Sequence, residues 1–217
     1  MRKRKNFERR EEYKSSRLVI IAAEGRYTEN IYFNSMKNTL CATSVHVEIL
    51  ERHDDNSSPE NVYNQIQDFK KEYNIADDDQ LWIVIDKDRW TDKTLSLVAQ
   101  YCTSDDKLYF CVSNPCFELW LLLHLEDVSE YSEDDKIKLK ENKKPSQYKQ
   151  TWLKSKLKKK MGSYSESKYD AEGLLENIDI AIQRAIKLDN NQHDRWPQDI
   201  GTRVYLLAQS IMDKTIE

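Results

Sequence analysis

The chain has 217 residues and a mass of 25.8 kDa, the size of one α/β domain or of one domain with an appended helical subdomain. Hydrophobic residues at 39% and aromatics at 10% supply enough apolar material for a core, which excludes a fully disordered chain. Charged residues reach 33% with a mean hydropathy of -0.83, and no apolar run approaches the roughly 20 residues of a membrane-spanning helix.

The N-terminus opens on Met1-Arg2-Lys3-Arg4-Lys5 and stays charged, without the apolar stretch of a signal peptide, so a cytoplasmic protein with no membrane association is expected. Cys41, Cys102, Cys111 and Cys116 form no CxxC pair, and with only four histidines no Cys/His zinc site is expected. Two of these cysteines sit in apolar runs and read as reduced, buried thiols. The net charge of -4 is unevenly spread. Residues 1 to 17 carry eight Lys/Arg against three Glu, and residues 143 to 160 carry eight lysines and no acid. Phosphate binding depends on such local basic faces, so the acidic total does not exclude nucleic acid.

In chain order, Arg17 to Ala23 is a continuous apolar, β-branched run and predicts a central strand covered on both faces. Glu24-Gly25-Arg26-Tyr27 follows as a tight loop, with Thr28 as the expected cap of a helix reaching about Leu40. Val45 to Leu50 predicts a second strand, and His53 to Ser58 a polar loop. Ser58-Pro59 starts a helix ending near Tyr73. Leu81 to Ile85 is the clearest strand, followed by Asp86-Lys87-Asp88-Arg89-Trp90 and a helix capped by Thr91 and running to about Tyr101. Lys107 to Val112 predicts a fourth strand, Ser113-Asn114-Pro115 a turn, and Cys116 to Leu125 an apolar helix. This βα alternation predicts a parallel sheet with helices on both faces. The expected organisation is a basic N-terminal extension over residues 1–16, an α/β domain over 17–126, and a lysine-rich helical segment over 127–217 packed on it. Within that last segment helices are expected near 148–161, 167–189 and 201–214, with no further strand.

Strand C-termini of a parallel sheet share one edge, where sites assemble. Three such ends carry chemistry: Glu24, then Asp86 and Asp88, then Ser113-Asn114. Asp86 and Asp88 are spaced to hold one hard cation jointly, Mg²⁺ or Mn²⁺, with Glu24 as a further ligand or general base. A lone Asp-x-Asp also caps helices or stays solvated, and the combination is what carries the reading. Glu118, in the first turn of the apolar helix, reads either as a site carboxylate or as an acid favoured by the helix dipole. Glu29 reads as a first-turn acid, with a site role as its lesser alternative, and His124 as structural. Lys87 and Arg89 either meet phosphate or neutralise the carboxylates. The lysine stretch with interleaved Tyr148 and Trp152 suits a nucleic-acid backbone, through Lys154, Lys156, Lys158, Lys159 and Lys160, or else is a solvated helix face.

Ile20-Ile21-Ala22-Ala23-Glu24-Gly25-Arg26-Tyr27-Thr28-Glu29, Tyr32-Phe33 and Trp82-Ile83-Val84-Ile85-Asp86-Lys87-Asp88 resemble the Toprim domain of topoisomerases, primases and OLD-type nucleases. Together with Ser113 to His124 and Gly201-Thr202-Arg203-Val204, the chain from about residue 17 to 210 is more closely similar to the RloB/AbiL-type family linked to bacterial phage defence. The resemblance implies a Toprim-like α/β fold and a metal-dependent nuclease acting on DNA or RNA, with an AAA/ABC-type ATPase as partner. It implies Glu24 as catalytic acid/base, Asp86 and Asp88 as Mg²⁺ ligands, and Glu118 as an additional active-site carboxylate. Residues Met1 to Ser16 match nothing in it. A non-catalytic Toprim-like module that binds nucleic acid or a partner is the alternative. Asp86-Lys87-Asp88 is also similar to the nucleophile motif of haloacid-dehalogenase phosphatases, but that motif follows the first strand of its fold and this one follows the third. No GxxxxGK[ST] loop and no GxSxG elbow is present, which argues against ATP hydrolysis and serine-hydrolase chemistry.

Overall fold

The structure, a computed structural model, describes residues 5, 16–52, 57–144 and 150–214. The basic N-terminal extension lies, but for Lys5 and Ser16, outside the described residues, as do His53 to Asn56 of the polar loop and Pro145 to Lys149, including Tyr148.

Four strands run parallel: β1 (Arg17–Ala23), β2 (Val45–Ile49), β3 (Gln80–Asp86) and β4 (Leu108–Asn114). Their connections are α1 (Thr28–Thr39), α2 (Pro59–Glu72) and α3 (Asp92–Thr103), as parallel pairing requires. The sheet order is β2-β1-β3-β4-β5, with the two-residue β5 (Gly201–Thr202) antiparallel at the edge. This is the mixed α/β, mostly parallel sheet that the sequence predicts, consistent with a Toprim-like fold.

The continuous apolar strands are buried on both faces, and their period-2 alternation divides the core. Val19, Ile21, Ala23, Trp82 and Val84 face α1 and the C-terminal helices. Leu18, Ile20, Ala22, Leu81, Ile83 and Ile85 face α2 and α3. Two of the three expected caps operate: Ser58 accepts from the Asn61 amide at 3.3 Å and Thr91 from the Thr94 amide at 3.3 Å. Helix α1 differs in detail, because Tyr27 rather than Thr28 occupies its cap position, without a side-chain cap bond.

After β4 the chain forms α4 (Glu118–Leu123), α5 (Glu133–Glu141), α6 (Trp152–Met161), α7 (Ala171–Leu175), α8 (Ile178–Leu188) and α9 (Val204–Ile211). Three features depart from the sequence expectation. The helix expected over 167–189 is two: it starts only at Ala171, where Asp170 accepts from the Gly173 amide at 2.9 Å, and it breaks at Asn177, so that Leu174 and Ile182 reach the core from separate axes. Helix α5 was not expected, although Ser132 caps it through the Asp135 amide at 3.2 Å. Finally, Gly201-Thr202 pairs with Asn114 and Ser113 as β5 before the last helix begins. The Ser113 and Thr202 hydroxyls meet there at 2.7 Å. Among the described residues no helix is long and apolar enough to cross a membrane.

Candidate active site

The acids named from the sequence gather at the C-terminal ends of β1 and β3 and at the start of α4. Glu24 prolongs the strand pairing of β1, its N–H donating to the Val84 carbonyl at 2.9 Å. Its carboxylate is buried, with Oε2 accepting from the Asp86 backbone N–H at 3.1 Å and from the Trp90 indole at 2.9 Å. Oε1, by contrast, is buried without a hydrogen-bond partner, and Arg89 Nη1 stands 3.9 Å away. Gly25 lies close against the Glu29 carboxylate. Its N–H donates to Glu29 Oε1 at 3.0 Å, and a Cβ on Gly25 would sit 1.9 Å from Glu29 Oε2.

Asp86 ends β3 and ties it to α4, Oδ1 accepting from the Phe117 N–H at 2.8 Å. The Asp88 N–H donates to the Pro115 carbonyl at 2.9 Å, which folds the Asp-x-Asp loop onto the turn before α4. Glu118 opens α4 and is buried, accepting from the Tyr164 hydroxyl at 3.1 Å with Lys154 Nζ at 3.6 Å. Ligand-capable atoms of Asp86, Cys116 and Glu118 all lie within 4.8 Å of one another. The Asn142 amide donates to Cys116 Sγ at 3.3 Å and its carbonyl oxygen accepts from the Leu153 N–H at 3.0 Å, so α5 and α6 brace the group from behind. These residues line a cavity of about 420 Å³ that brings together six carboxylates, with Glu29 and Glu166 completing the set, and four cationic side chains, Arg26, Arg52, Arg89 and Lys154.

An excess of acids short of water raises proton affinity. Desolvation pushes the Glu24 pKa up against its hydrogen bonds from Trp90 and Asp86. Asp86 is driven well above the usual carboxylate range, by desolvation first and then by Glu29, Glu118, Glu24 and Asp88. Asp88, at the exposed rim, is raised by desolvation against the lowering effect of Arg89. Glu29 reaches about 7, chiefly through burial, with Glu118 and Glu24 adding to it. A folded-state pKa above the unfolded value makes the native state bind the extra proton, so its stabilisation is complete below the unfolded pKa and is lost as pH rises toward about 7. In chelator, stability should therefore fall as pH rises from about 4.5 to 7, with Glu29 contributing to the loss. Glu29→Gln should flatten that slope in urea titrations taken across the range, and an unchanged slope would remove Glu29 as its origin.

The cluster fits a hard divalent cation. Asp86 and Glu118 offer carboxylate oxygens within reach of one another, and Glu24, with its orphaned Oε1, lines the same cavity. Burial holds the Cys116 thiol well above its usual pKa, and a hard cation prefers the carboxylate oxygens to its soft sulfur.

The cationic residues named from the sequence fall in different places. Arg89 is at the rim beside Glu24, whereas Lys87 turns away to Asp92 at 2.7 Å. Lys154 enters the cavity between Glu118 and Glu166. Lys156 and Lys160 pair with Glu126 at 3.5 and 2.5 Å, Lys156 also lying over the Tyr131 and Trp152 rings. Lys158 borders a separate cavity beside Tyr164 and Lys168, and Lys159 is exposed. His124 is structural: Nε2 meets the Tyr32 hydroxyl at 3.0 Å, Nδ1 the Trp120 carbonyl at 2.9 Å, and burial lowers its pKa to about 4. Cys116, Asn142 and Tyr164 join the site with no signal in the sequence that marks them for it, and Glu29 takes the second of its two readings, lining the cavity from the first turn of α1.

Comparison with known proteins adds one finding: a family model described as RloB-like protein matches residues 19–211. No curated protein and no solved structure matches the chain.

Proposed function

The chain belongs to the RloB-like family, and from the acids at its strand ends we propose that it is a metal-dependent nuclease hydrolysing phosphodiester bonds in DNA or RNA. The observation that carries this is the buried Glu24 oxygen left without a partner in a cavity walled by Asp86 and Glu118. An unpaired buried carboxylate oxygen is costly unless something is meant to meet it. Asp86 and Glu118, with Asp88 at the rim, would hold Mg²⁺ or Mn²⁺, and Glu24 serves as the base. Bound there, the cation supplies Lewis-acid neutralisation of the charge on a phosphoryl group.

The remaining work falls to the chain itself. Trp90 and the Asp86 N–H fix Glu24 Oε2, which leaves Oε1 free to accept a proton from an attacking water. The raised Glu24 pKa brings that base nearer to neutrality. Arg89 and Lys154, at the cavity wall, are placed to neutralise substrate phosphate. A role as effector of a bacterial anti-phage system, worked by an AAA/ABC-type ATPase partner, rests on the family resemblance.

The test is cleavage of end-labelled DNA and RNA with Mg²⁺ or Mn²⁺, with and without the ATPase, and its loss in chelator. Glu118→Gln should raise the Mn²⁺ concentration for half-maximal cleavage on the order of tenfold. Were Glu118 only a helix-terminal acid, it would cost about 0.3–1 kcal/mol of stability and leave the titration unmoved. Absence of metal-dependent cleavage by the activated complex would leave the non-catalytic binding module as the reading.

A further inference from the structure

Tyr27 is a large aromatic side chain that the fold does not use. It is 49% exposed, while Tyr32 and Phe33 on the same helix are fully buried, and it joins neither apolar core. It caps α1 only through its backbone, whose carbonyl accepts from the Ile31 N–H at 2.9 Å. The position is nonetheless held firmly. The next residue, Thr28, accepts at its carbonyl from the Tyr169 hydroxyl at 2.7 Å and donates its own hydroxyl to the Glu166 carbonyl at 3.4 Å.

The location gives the ring a use. Tyr27 borders both the acid cavity and a second one of about 380 Å³, lined also by Lys144, Ser165 and Ser167. The two cavities share Tyr27, Thr151, Lys154 and Glu166, so the ring stands where a strand leaving the acids would pass. The Arg26 guanidinium lies 5.8 Å from the ring centroid. An exposed aromatic face set among cations is the arrangement that takes a base by stacking and the adjoining phosphates by charge. In a duplex the base faces are already stacked and only their edges are open in the grooves. A base must leave that stack, at a cost of a few kcal/mol, before a ring can cover it.

We propose that the chain binds single-stranded nucleic acid, with Tyr27 stacking on an unpaired base beside the acid cavity and Lys144 meeting a phosphate in the second cavity. This names the substrate class of the nuclease reading and rests on it for what happens to the bond, but not for binding.

The experiment measures fluorescence anisotropy of labelled oligothymidylate, oligouridylate and a matched DNA duplex with the full chain, Ca²⁺ replacing Mg²⁺. Tyr27→Ala should raise the Kd of the single-stranded probes between about fivefold and about a hundredfold. Tyr27→Phe should stay within about twofold of the unsubstituted chain, because it keeps the stacking face. Lys144→Gln should reduce the slope of log Kd against log salt by about one. The duplex should bind more weakly and be indifferent to Tyr27→Ala. The two single-stranded arms distinguish DNA from RNA. Unchanged binding in Tyr27→Ala, equal Tyr27-dependence with the duplex, or no single-strand binding by the unsubstituted chain overturns the proposal. Tyr27-dependent binding without metal-dependent cleavage would instead sink the nuclease reading and leave this one standing.

Discussion

Asp189→Ala is expected to destabilise the protein by about 3–5 kcal/mol, the cost of leaving a buried cation without its partner. Arg203 follows β5 directly and is almost wholly enclosed. Its Nε and Nη2 donate to the two Asp189 oxygens at 3.0 and 3.2 Å, while Nη1 and Nη2 reach the Asp194 and Asn191 carbonyls at 2.6 and 3.1 Å. The Tyr205 hydroxyl also donates to Asp189, at 3.0 Å. Truncating Asp189 strands the guanidinium charge and orphans the tyrosine hydroxyl together. Because the Arg203 N–H bonds the Val112 carbonyl at 3.1 Å, the damage spreads to β4, whose end leads into the turn before α4. Asp189→Asn, which keeps an acceptor but not the charge, should fall between. The exposed pair Lys71–Asp68 is the control, since both side chains are more than 70% exposed, and its loss should cost about 0–1 kcal/mol. Urea denaturation of the three variants measures this, and a loss under about 1 kcal/mol in Asp189→Ala would mean that the pair is not what fastens β5.

What could be read from the sequence depended on how local its cause was. Arg17 to Ala23 and Leu81 to Ile85 are apolar without interruption, and only a strand covered on both faces uses such a run. Ser58-Pro59 and Thr91 carry their capping chemistry within three residues, so both helix starts were legible. Strand β5 was not: two residues have no periodicity, and they are held by Asn114 and Ser113, nearly ninety residues earlier in the chain. The division of 167–189 into α7 and α8 was hidden for a related reason. Its apolar residues keep a helical spacing, and only packing against the rest of the core decides that Leu174 and Ile182 approach on different axes. Helix α5 did carry a local signal, Ser132 with Asp135 three residues on, obscured by its low apolar content.

The same distinction holds at the site. Glu24, Asp86 and Asp88 follow strands that could be located, and a parallel sheet puts those strand ends on one edge. Glu118 was visible as an acid in an apolar helix, and its alternatives turn on Tyr164 and Lys154, which lie 46 and 36 residues downstream and reach it only through the fold. Cys116 and Asn142 gave no signal, since a buried thiol and a loop asparagine are ordinary until the amide is found against the sulfur. The lysine stretch shows the opposite failing. Charge count alone cannot separate Lys154, drawn into the cavity by Glu118 and Glu166, from Lys156 and Lys160, held by Glu126 on another face of the helix.

Glu24→Gln should leave nucleic-acid binding intact and lower turnover on the order of 10²-fold or more, the scale of a lost general base. The amide oxygen can still accept from Trp90 and the Asp86 N–H, so the side chain keeps its place. Its NH₂ then occupies the position of the orphaned Oε1, where it can donate but cannot take a proton. Removing one charge from a cavity in which Asp86 and Glu29 repel it should hold stability level or raise it, which separates lost chemistry from lost fold. The pH profile gives a second readout. A base works when ionised, so turnover should rise with pH through the raised Glu24 pKa and then level off, and the glutamine variant should lack that limb. Single-turnover cleavage by the activated complex across pH, at saturating Mn²⁺, measures both. If Glu24→Gln cleaves at near-normal rate with the limb still present, Glu24 is not the base. The orphaned oxygen that carries the nuclease reading would then be a structural carboxylate, and the acid cavity would be better read as a site that binds without cutting.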